Sequence, residues 1–249
     1  MLSRVQRGRL SACLLTLLAF TASHAEPLPA GSIRQMADAH KRSAIALYRE
    51  FLSLPNDANY PDDILRMVEW MEQAFGDRGF RLERIETPGS PLLFAERHVS
   101  DDAQTVLIYL QSDGQPVDPT AWQQEDPYTP VLKAPTGSGG FERVPWDLLD
   151  SSYNPDWRVF ARSASDSKGP MAQFLVAMEL LDSAGFEFDY NMKVIIDTEE
   201  EMSSPHLPAA VTANRELLAA DLLLIFDGPP HPSNEPTVGF GARGIVTIT

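Results

Sequence analysis

Apolar residues recur three or four residues apart in several segments of the chain, which is the spacing of one helix face. Pro55 follows the first of these segments and Gly79 follows the second, and both residue types commonly end helices. In the last segment, Ser204 and Pro205 suit an N-cap and a first helical position. We therefore predict helices over residues 33–51, 62–75 and 168–183, and a fourth that starts at Ser204.

Period-two alternation and short apolar runs predict the strands. Residues 80–85 alternate between apolar and polar, whereas residues 105–110, 192–196 and 222–226 are apolar throughout or nearly so, as in strands buried on both faces. Strands that alternate with helices indicate an α/β fold, a three-layer domain around a largely parallel sheet. Residues 115–156 are rich in Pro, Gly, Trp and Asp, and we predict that they form a long surface excursion.

The first 25 residues have the pattern of a secretory signal peptide. Arg4, Arg7 and Arg9 precede an apolar run over residues 10–20, and small residues near Ala25 suit a cleavage site. A membrane anchor is the competing interpretation, but this run is about half of the roughly 20 residues that cross a bilayer. We therefore predict a secreted or periplasmic protein, without membrane association after cleavage.

Composition then excludes several classes of function. The only cysteine, Cys13, falls in the predicted signal peptide, so the mature chain would have neither thiol catalysis nor cysteine-zinc sites. The chain has 20 Lys and Arg against 35 Asp and Glu, a net charge of -15. Such a surface excludes nucleic acid and anionic membranes as expected partners.

Acidic residues follow three of the predicted strands. In parallel sheets, ligands bind beyond the carboxyl ends of the strands, so these acids are expected to meet there. They would repel one another without a cation between them, and oxygen ligands suit Mg, Ca or Mn whereas imidazole favours Zn. Taken singly, each acid also fits a turn, a helix cap or a solvated loop. The acids are Asp113, Asp197, Glu199, Glu200, Glu201 and Asp227, with Asp166 before the third helix.

Three motifs, in order and at suitable spacing, resemble those of a known enzyme family. They occupy residues 111–116 (QSDGQP), 162–170 (RSASDSKGP) and 200–204 (EEMSS). The family is the aminoacylase, carnosinase and carboxypeptidase G type of zinc exopeptidase, metallopeptidase family M-twenty, and the resemblance covers residues 33–249. Trp122 and the Asp-Pro-Tyr over residues 126–128 look most like its dipeptidase and carnosinase branch.

The resemblance implies a metal-dependent hydrolase that cleaves the amide bonds of dipeptides, short peptides or N-acyl amino acids. Its cofactor would be two zinc ions, with Mn or Co possible. Asp166 would bridge the two ions, Gln111 and Asp227 would complete one metal site, and Glu201 would serve the other. Glu200 would be the general base on the attacking water.

Other positions near the motifs receive supporting or structural roles. By the same resemblance, Asp113 would hold a metal ligand in position. Asp197 is expected to be structural and Glu199 to be a solvated neighbour. His206 and His231 are expected to have surface or capping roles.

The sequence departs from the family pattern at several positions. Gln111 replaces a histidine ligand; its carboxamide offers an oxygen to a metal and an NH2 group to Asp113. Ser163 and Ser203 replace glycines.

The family pattern also continues past residue 249. We therefore expect residues 26–236 to be the first part of the catalytic domain, which would be incomplete in this chain. Residues 237–249 would be the first strand of a lid or dimerisation domain, through which a full-length protein would form a homodimer. One alternative is a non-catalytic fragment or pseudoenzyme of the same fold that acts as a binding protein. Another is an acidic, calcium-binding secreted domain.

Overall fold

The computed structural model describes residues 28–152, 154–228 and 237–241. The predicted signal peptide, His231 and most of the predicted lid strand therefore lie outside the described residues. Residues 237–241 form neither helix nor strand. In the described part of the chain, no helix is both long and apolar enough to span a membrane.

Five α-helices and eight strands make up the described residues. The helices are α1 (Ala30–Leu52), α2 (Pro61–Gly76), α3 (Leu148–Ser151), α4 (Lys168–Ser183) and α5 (Leu207–Ala213). The strands are β1 (Arg81–Ile85), β2 (Leu92–Arg97), β3 (Thr105–Gln111), β4 (Val131–Pro135), β5 (Phe141–Val144), β6 (Arg158–Phe160), β7 (Asn191–Asp197) and β8 (Leu222–Ile225). The helices predicted near α1, α2 and α4 and the strands predicted near β1, β3, β7 and β8 are all present.

The central sheet has the strand order β1-β2-β7-β3-β8. Strands β7, β3 and β8 run parallel to one another, while β2 is antiparallel to both of its neighbours. Strand β2 was not predicted, because its apolar run is too short to show a period. The α/β prediction is confirmed, with a parallel part that contains the strands followed by acidic residues.

Helices cover both faces of this sheet. Alternate residues of β3 and β7, such as Ile108 and Val194, pack with apolar residues of α2 and α4 in the larger core, whereas Phe94 and Ile195 pack against Ala210 of α5 on the other face. This alternation follows from the two-residue period of a strand. The predicted three layers are therefore present.

Two local predictions were wrong. The surface excursion is not irregular throughout, because β4 pairs with both β5 and β6 in a second sheet. Helix α5 begins at Leu207 instead of following Ser204 as N-cap. Ser204 has a left-handed φ of 49° instead of the extended backbone typical of an N-cap, and its hydroxyl donates a hydrogen bond to Asp197 Oδ2 (2.6 Å).

Candidate active site

The parallel register brings the predicted site residues to one edge of the sheet. Gln111 at the end of β3 pairs with Asp197 at the end of β7. Glu200 and Glu201 begin a short 3-10 helix just after β7, and Asp227 follows β8. Because all three strands point the same way, the side chains that follow them share one rim.

Asp113 fixes the backbone that carries the two glutamates. Its carboxylate is 1% exposed and accepts hydrogen bonds from the backbone N–H groups of Glu200 and Glu201, both at 3.0 Å. Burial raises the pKa of Asp113 to about 7, although these hydrogen bonds oppose the shift. Asp113 is therefore placed to position Glu200 and Glu201.

The charges of Asp166 and Asp227 act on the carboxyl groups of Glu200 and Glu201 at the rim. The pKa values of Glu200 and Glu201 are both raised, chiefly by burial, and further by the charges of Asp166 and Asp227. Glu201 also accepts a hydrogen bond from Gln115, which opposes its shift. Carboxylates that repel each other in this way provide a favourable environment for a cation.

Gln111 lies against one of these carboxylates. The residue is 3% exposed, and its Nε2 donates to Asp166 Oδ1 at 3.3 Å. The prediction that the Gln111 NH2 group contacts Asp113 was wrong, because this group donates to Asp166 instead. The Asp113 oxygens accept the backbone N–H groups of Glu200 and Glu201. The Gln111 Oε1 atom is buried without any hydrogen-bond partner.

The residues at the rim fit a divalent cation with oxygen ligands. Within the described ranges, no three His, Cys, Asp or Glu side chains are grouped to hold a metal ion. The Gln111 carboxamide is a further possible ligand: its Nε2 atom contacts Asp166 Oδ1, and its Oε1 atom is buried without a hydrogen-bond partner. A cation is one group that could satisfy such a buried oxygen.

Helix α1 and the segment after it hold the loop that carries Asp166. Lys168 is fully buried, and its Nζ donates to the carbonyl oxygens of Phe51 (2.9 Å) and Leu54. Burial lowers the pKa of Lys168 to about 7. The hydroxyl of Tyr48 donates to the carbonyl oxygen of Ala164 in the same loop. These anchors fix the position of Asp166 relative to the sheet.

Asn56 joins three loops of the site. Its side-chain Nδ2 donates to Ser112 O (2.9 Å) and to Ser163 Oγ (3.0 Å). Its backbone carbonyl oxygen accepts a hydrogen bond from Gly114 N (2.7 Å). The loops pack so tightly that a Cβ at Gly114 would lie 2.2 Å from Ser163 Oγ. Asn56 gave no functional signal in the sequence, because Pro55-Asn56-Asp57 indicated only the end of a helix. Lys168 belongs to the second motif, but the sequence did not predict that its side chain anchors the loop.

Glu199 is not a solvated neighbour, contrary to the prediction. Its side chain is buried, and its Oε2 lies 2.6 Å from His206 Nδ1 while its Oε1 accepts from Ser90 N at 3.3 Å. His206 occupies the N-cap position of α5, but its side chain makes no capping hydrogen bond. The pair therefore connects the turn after β7 to the segment before β2.

Asp197 has a structural environment. It is buried and accepts hydrogen bonds from Tyr109 OH (3.1 Å), Ser204 Oγ (2.6 Å) and Glu199 N (3.0 Å). Because three protein donors already satisfy its carboxylate oxygens, Asp197 holds the turn that follows β7.

Both serines at family glycine positions have left-handed backbones. Ser163 has a φ of 58° and Ser203 has a φ of 69°. This region is one that glycine adopts at little cost and other residues adopt rarely. The loop geometry is therefore of the glycine type, although the residues are serines.

The chain is similar in sequence to known dipeptidases. No protein-family model matches the chain. The Cys-Gly metallodipeptidase dug1 of Schizosaccharomyces pombe is 22% identical over 226 residues, covering 85% of this chain and 43% of that protein. The Beta-Ala-His dipeptidase of Homo sapiens is 22% identical over 262 residues, covering 95% of this chain and 47% of that protein. The chain thus spans less than half the length of these curated relatives.

A solved structure has a related fold. Human carnosine dipeptidase 1 superposes with a TM-score of 0.63 and 21% sequence identity, over 78% of this chain and 40% of that chain. These matches confirm the resemblance inferred from the three motifs. The chain therefore resembles the dipeptidase branch of the zinc exopeptidases in sequence, and its fold is that of their catalytic domains.

Proposed function

We propose that this protein is a metal-dependent hydrolase that cleaves the peptide bond of dipeptides or short peptides. The observation that carries the proposal is the carboxyl edge of the sheet, where Asp113 holds the backbone of Glu200 and Glu201 and the charges of Asp166 and Asp227 help to raise the pKa of each glutamate. The names of the relatives support dipeptides as the substrate class.

In this proposal, Gln111, Asp166, Asp227 and Glu201 hold the metal. A divalent cation bound there would act as a Lewis acid, lowering the pKa of water and polarising the scissile carbonyl. The family resemblance implies two ions, with Asp166 between them. The predicted signal peptide supports a secreted or periplasmic location, and a homodimer through a lid domain stays a prediction.

Glu200 is the proposed general base. It takes a proton from the attacking water and returns it to the leaving amine, so no net proton is consumed by the residue. Asp113 assists by accepting hydrogen bonds from the backbone N–H groups of Glu200 and Glu201, both at 3.0 Å. These bonds fix the backbone from which the two side chains extend. Two adjacent glutamates can then serve different roles, because successive side chains point in different directions.

Glu200→Gln tests this assignment. We expect the substitution to lower kcat for hydrolysis of β-alanyl-histidine or cysteinylglycine about 10²- to 10⁴-fold, as for the loss of a general base. Metal content, measured by elemental analysis of the same samples, should not fall. Glu142→Gln makes the same chemical change on exposed strand β5 and should leave both quantities unchanged.

Two results would count against the proposal. Full activity in Glu200→Gln would remove Glu200 as the base. Wild-type protein that binds metal but hydrolyses neither dipeptide would favour the non-catalytic binding protein.

A further inference from the structure

The carboxamide of Gln111 presents an oxygen that no protein group satisfies. Its Oε1 is buried and without a hydrogen-bond partner, while its Nε2 donates to Asp166 Oδ1 at 3.3 Å. A buried acceptor without a donor is destabilising, and native proteins rarely retain one without a reason. The terminal torsion of a glutamine side chain has a broad, roughly two-fold energy profile. A rotation of about 180° therefore exchanges the positions of Oε1 and Nε2 in Gln111. In that orientation, the oxygen faces the Asp166 carboxylate, and a cation between them would satisfy both.

The acidic groups near this position are oxygen ligands. The charges of Asp166 and Asp227 both raise the pKa values of Glu200 and Glu201, and the guanidinium of Arg162, which has no free electron pair for a metal, opposes the shift of Glu201. Each histidine among the described residues has a partner elsewhere: His40 with Met36 O, His98 with Asp101, and His206 with Glu199. The cysteine, Cys13, lies outside the described ranges. No described imidazole is therefore available at the position where the family has one.

We infer that Gln111 shifts the metal preference of the Asp166 and Asp227 end of the site away from zinc and toward hard divalent cations such as Mn²⁺ and Mg²⁺. The inference rests on the proposed function, because it assumes that these residues hold the metal. Imidazole favours zinc, whereas carboxylate and carbonyl oxygens suit Mg, Ca and Mn. Gln111 would set the selectivity because it replaces the nitrogen donor with an oxygen.

Metal titration of the full chain tests this inference without substrate. The affinities for Mn²⁺ and Zn²⁺ are measured by competition with a chelator in wild type, Gln111→His and Gln104→His. Gln104 immediately precedes the opposite end of β3 and is exposed, so it receives the same substitution away from the site. We expect the ratio of zinc to manganese affinity to rise about tenfold or more in Gln111→His and to stay at the wild-type value in Gln104→His.

The absorption spectrum of bound Co²⁺ gives a second readout. We expect Gln111→His to change the position and intensity of the visible bands relative to wild type, because a nitrogen donor enters the coordination sphere. If Gln111→His does not fold, Gln111→Glu keeps an oxygen donor; it should raise the affinity for both metals and leave their ratio unchanged.

Either of two results would overturn the inference. One is an equal zinc-to-manganese ratio in wild type and Gln111→His. The other is unaltered Mn²⁺ affinity in Gln111→Leu, which lacks the oxygen. Because the titration contains no peptide, selective metal binding without hydrolysis would contradict the proposed function alone. Hydrolysis with an unchanged metal ratio would contradict this inference alone.

Discussion

At the scale of single residues, Ser203 has a backbone conformation that normally belongs to glycine. Its φ of 69° brings the Cβ of an L-residue close to its own backbone, at a cost of roughly 1–2 kcal/mol. Ser204 is also left-handed, with a φ of 49°, but its hydroxyl donates to Asp197 Oδ2 at 2.6 Å. The two neighbouring serines therefore differ in whether a side-chain contact offsets the cost of the conformation.

Replacing Ser203 by Gly should stabilise the chain. Relief of the left-handed strain exceeds the entropy that glycine adds to the unfolded chain, so we expect a gain of roughly 0.5–1 kcal/mol in the free energy of unfolding. Urea denaturation measures it. Ser204→Gly is the matched control and should give no gain, because it also removes the hydrogen bond to Asp197. A lower midpoint for Ser203→Gly than for wild type would contradict this account.

At the scale of elements, the strand ends could be predicted from the sequence, but the connections between the loops could not. Apolar runs identified β3, β7 and β8, and the rule that parallel strands end at one edge brought their acidic residues together. The contacts of Asn56 link residues 56 and 107 positions apart, and the hydrogen bond between Glu199 and His206 depends on how the turn after β7 folds; a periodic pattern encodes neither. The predicted start of α5 was wrong because Ser204 adopts a left-handed φ of 49°, which the residue type does not reveal.

Asn56→Ala should loosen the loops of the site. The substitution leaves the buried carbonyl of Ser112 without its donor and removes the bond to Ser163 Oγ, which we expect to lower the free energy of unfolding by about 1–3 kcal/mol. Denaturant unfolding measures the loss. Asn59→Ala is a suitable control: Asn59 is exposed, its side chain bonds only Asp57 Oδ1, and its replacement should change stability by less than about 0.5 kcal/mol. Equal effects of the two substitutions would contradict a joining role for Asn56.

At the scale of the whole molecule, the sheet of the described residues ends in an apolar strand whose side chains are exposed. Strand β8 is an edge strand, and Leu222, Leu223 and Ile225 are each more than half exposed, at 52%, 53% and 58%. The sequence predicted a strand buried on both faces, because every residue of the run is apolar. In the described ranges, no further strand pairs with its free edge. An exposed apolar edge of this kind favours association with another chain.

Leu223→Lys should reduce self-association of this chain. A lysine on an edge strand disfavours pairing with a second strand, so we expect the weight-average mass in sedimentation velocity to fall toward that of the monomer. Val99→Lys places the same charge on an exposed loop residue and should leave the mass unchanged. A wild-type chain that is monomeric at high concentration would show that β8 does not drive association.

The loop contacts of Asn56 also bear on the order in which the molecule assembles. They link residues separated by 56 and 107 positions, whereas β1 and β2 are adjacent along the chain. Contacts of large sequence separation form slowly, because closing a long loop costs entropy before any contact compensates for it. We therefore expect the rim of acids to be completed late in folding. A cation that binds this rim would stabilise the native state more than the folding transition state, and so would slow unfolding while leaving the rate of folding nearly unchanged.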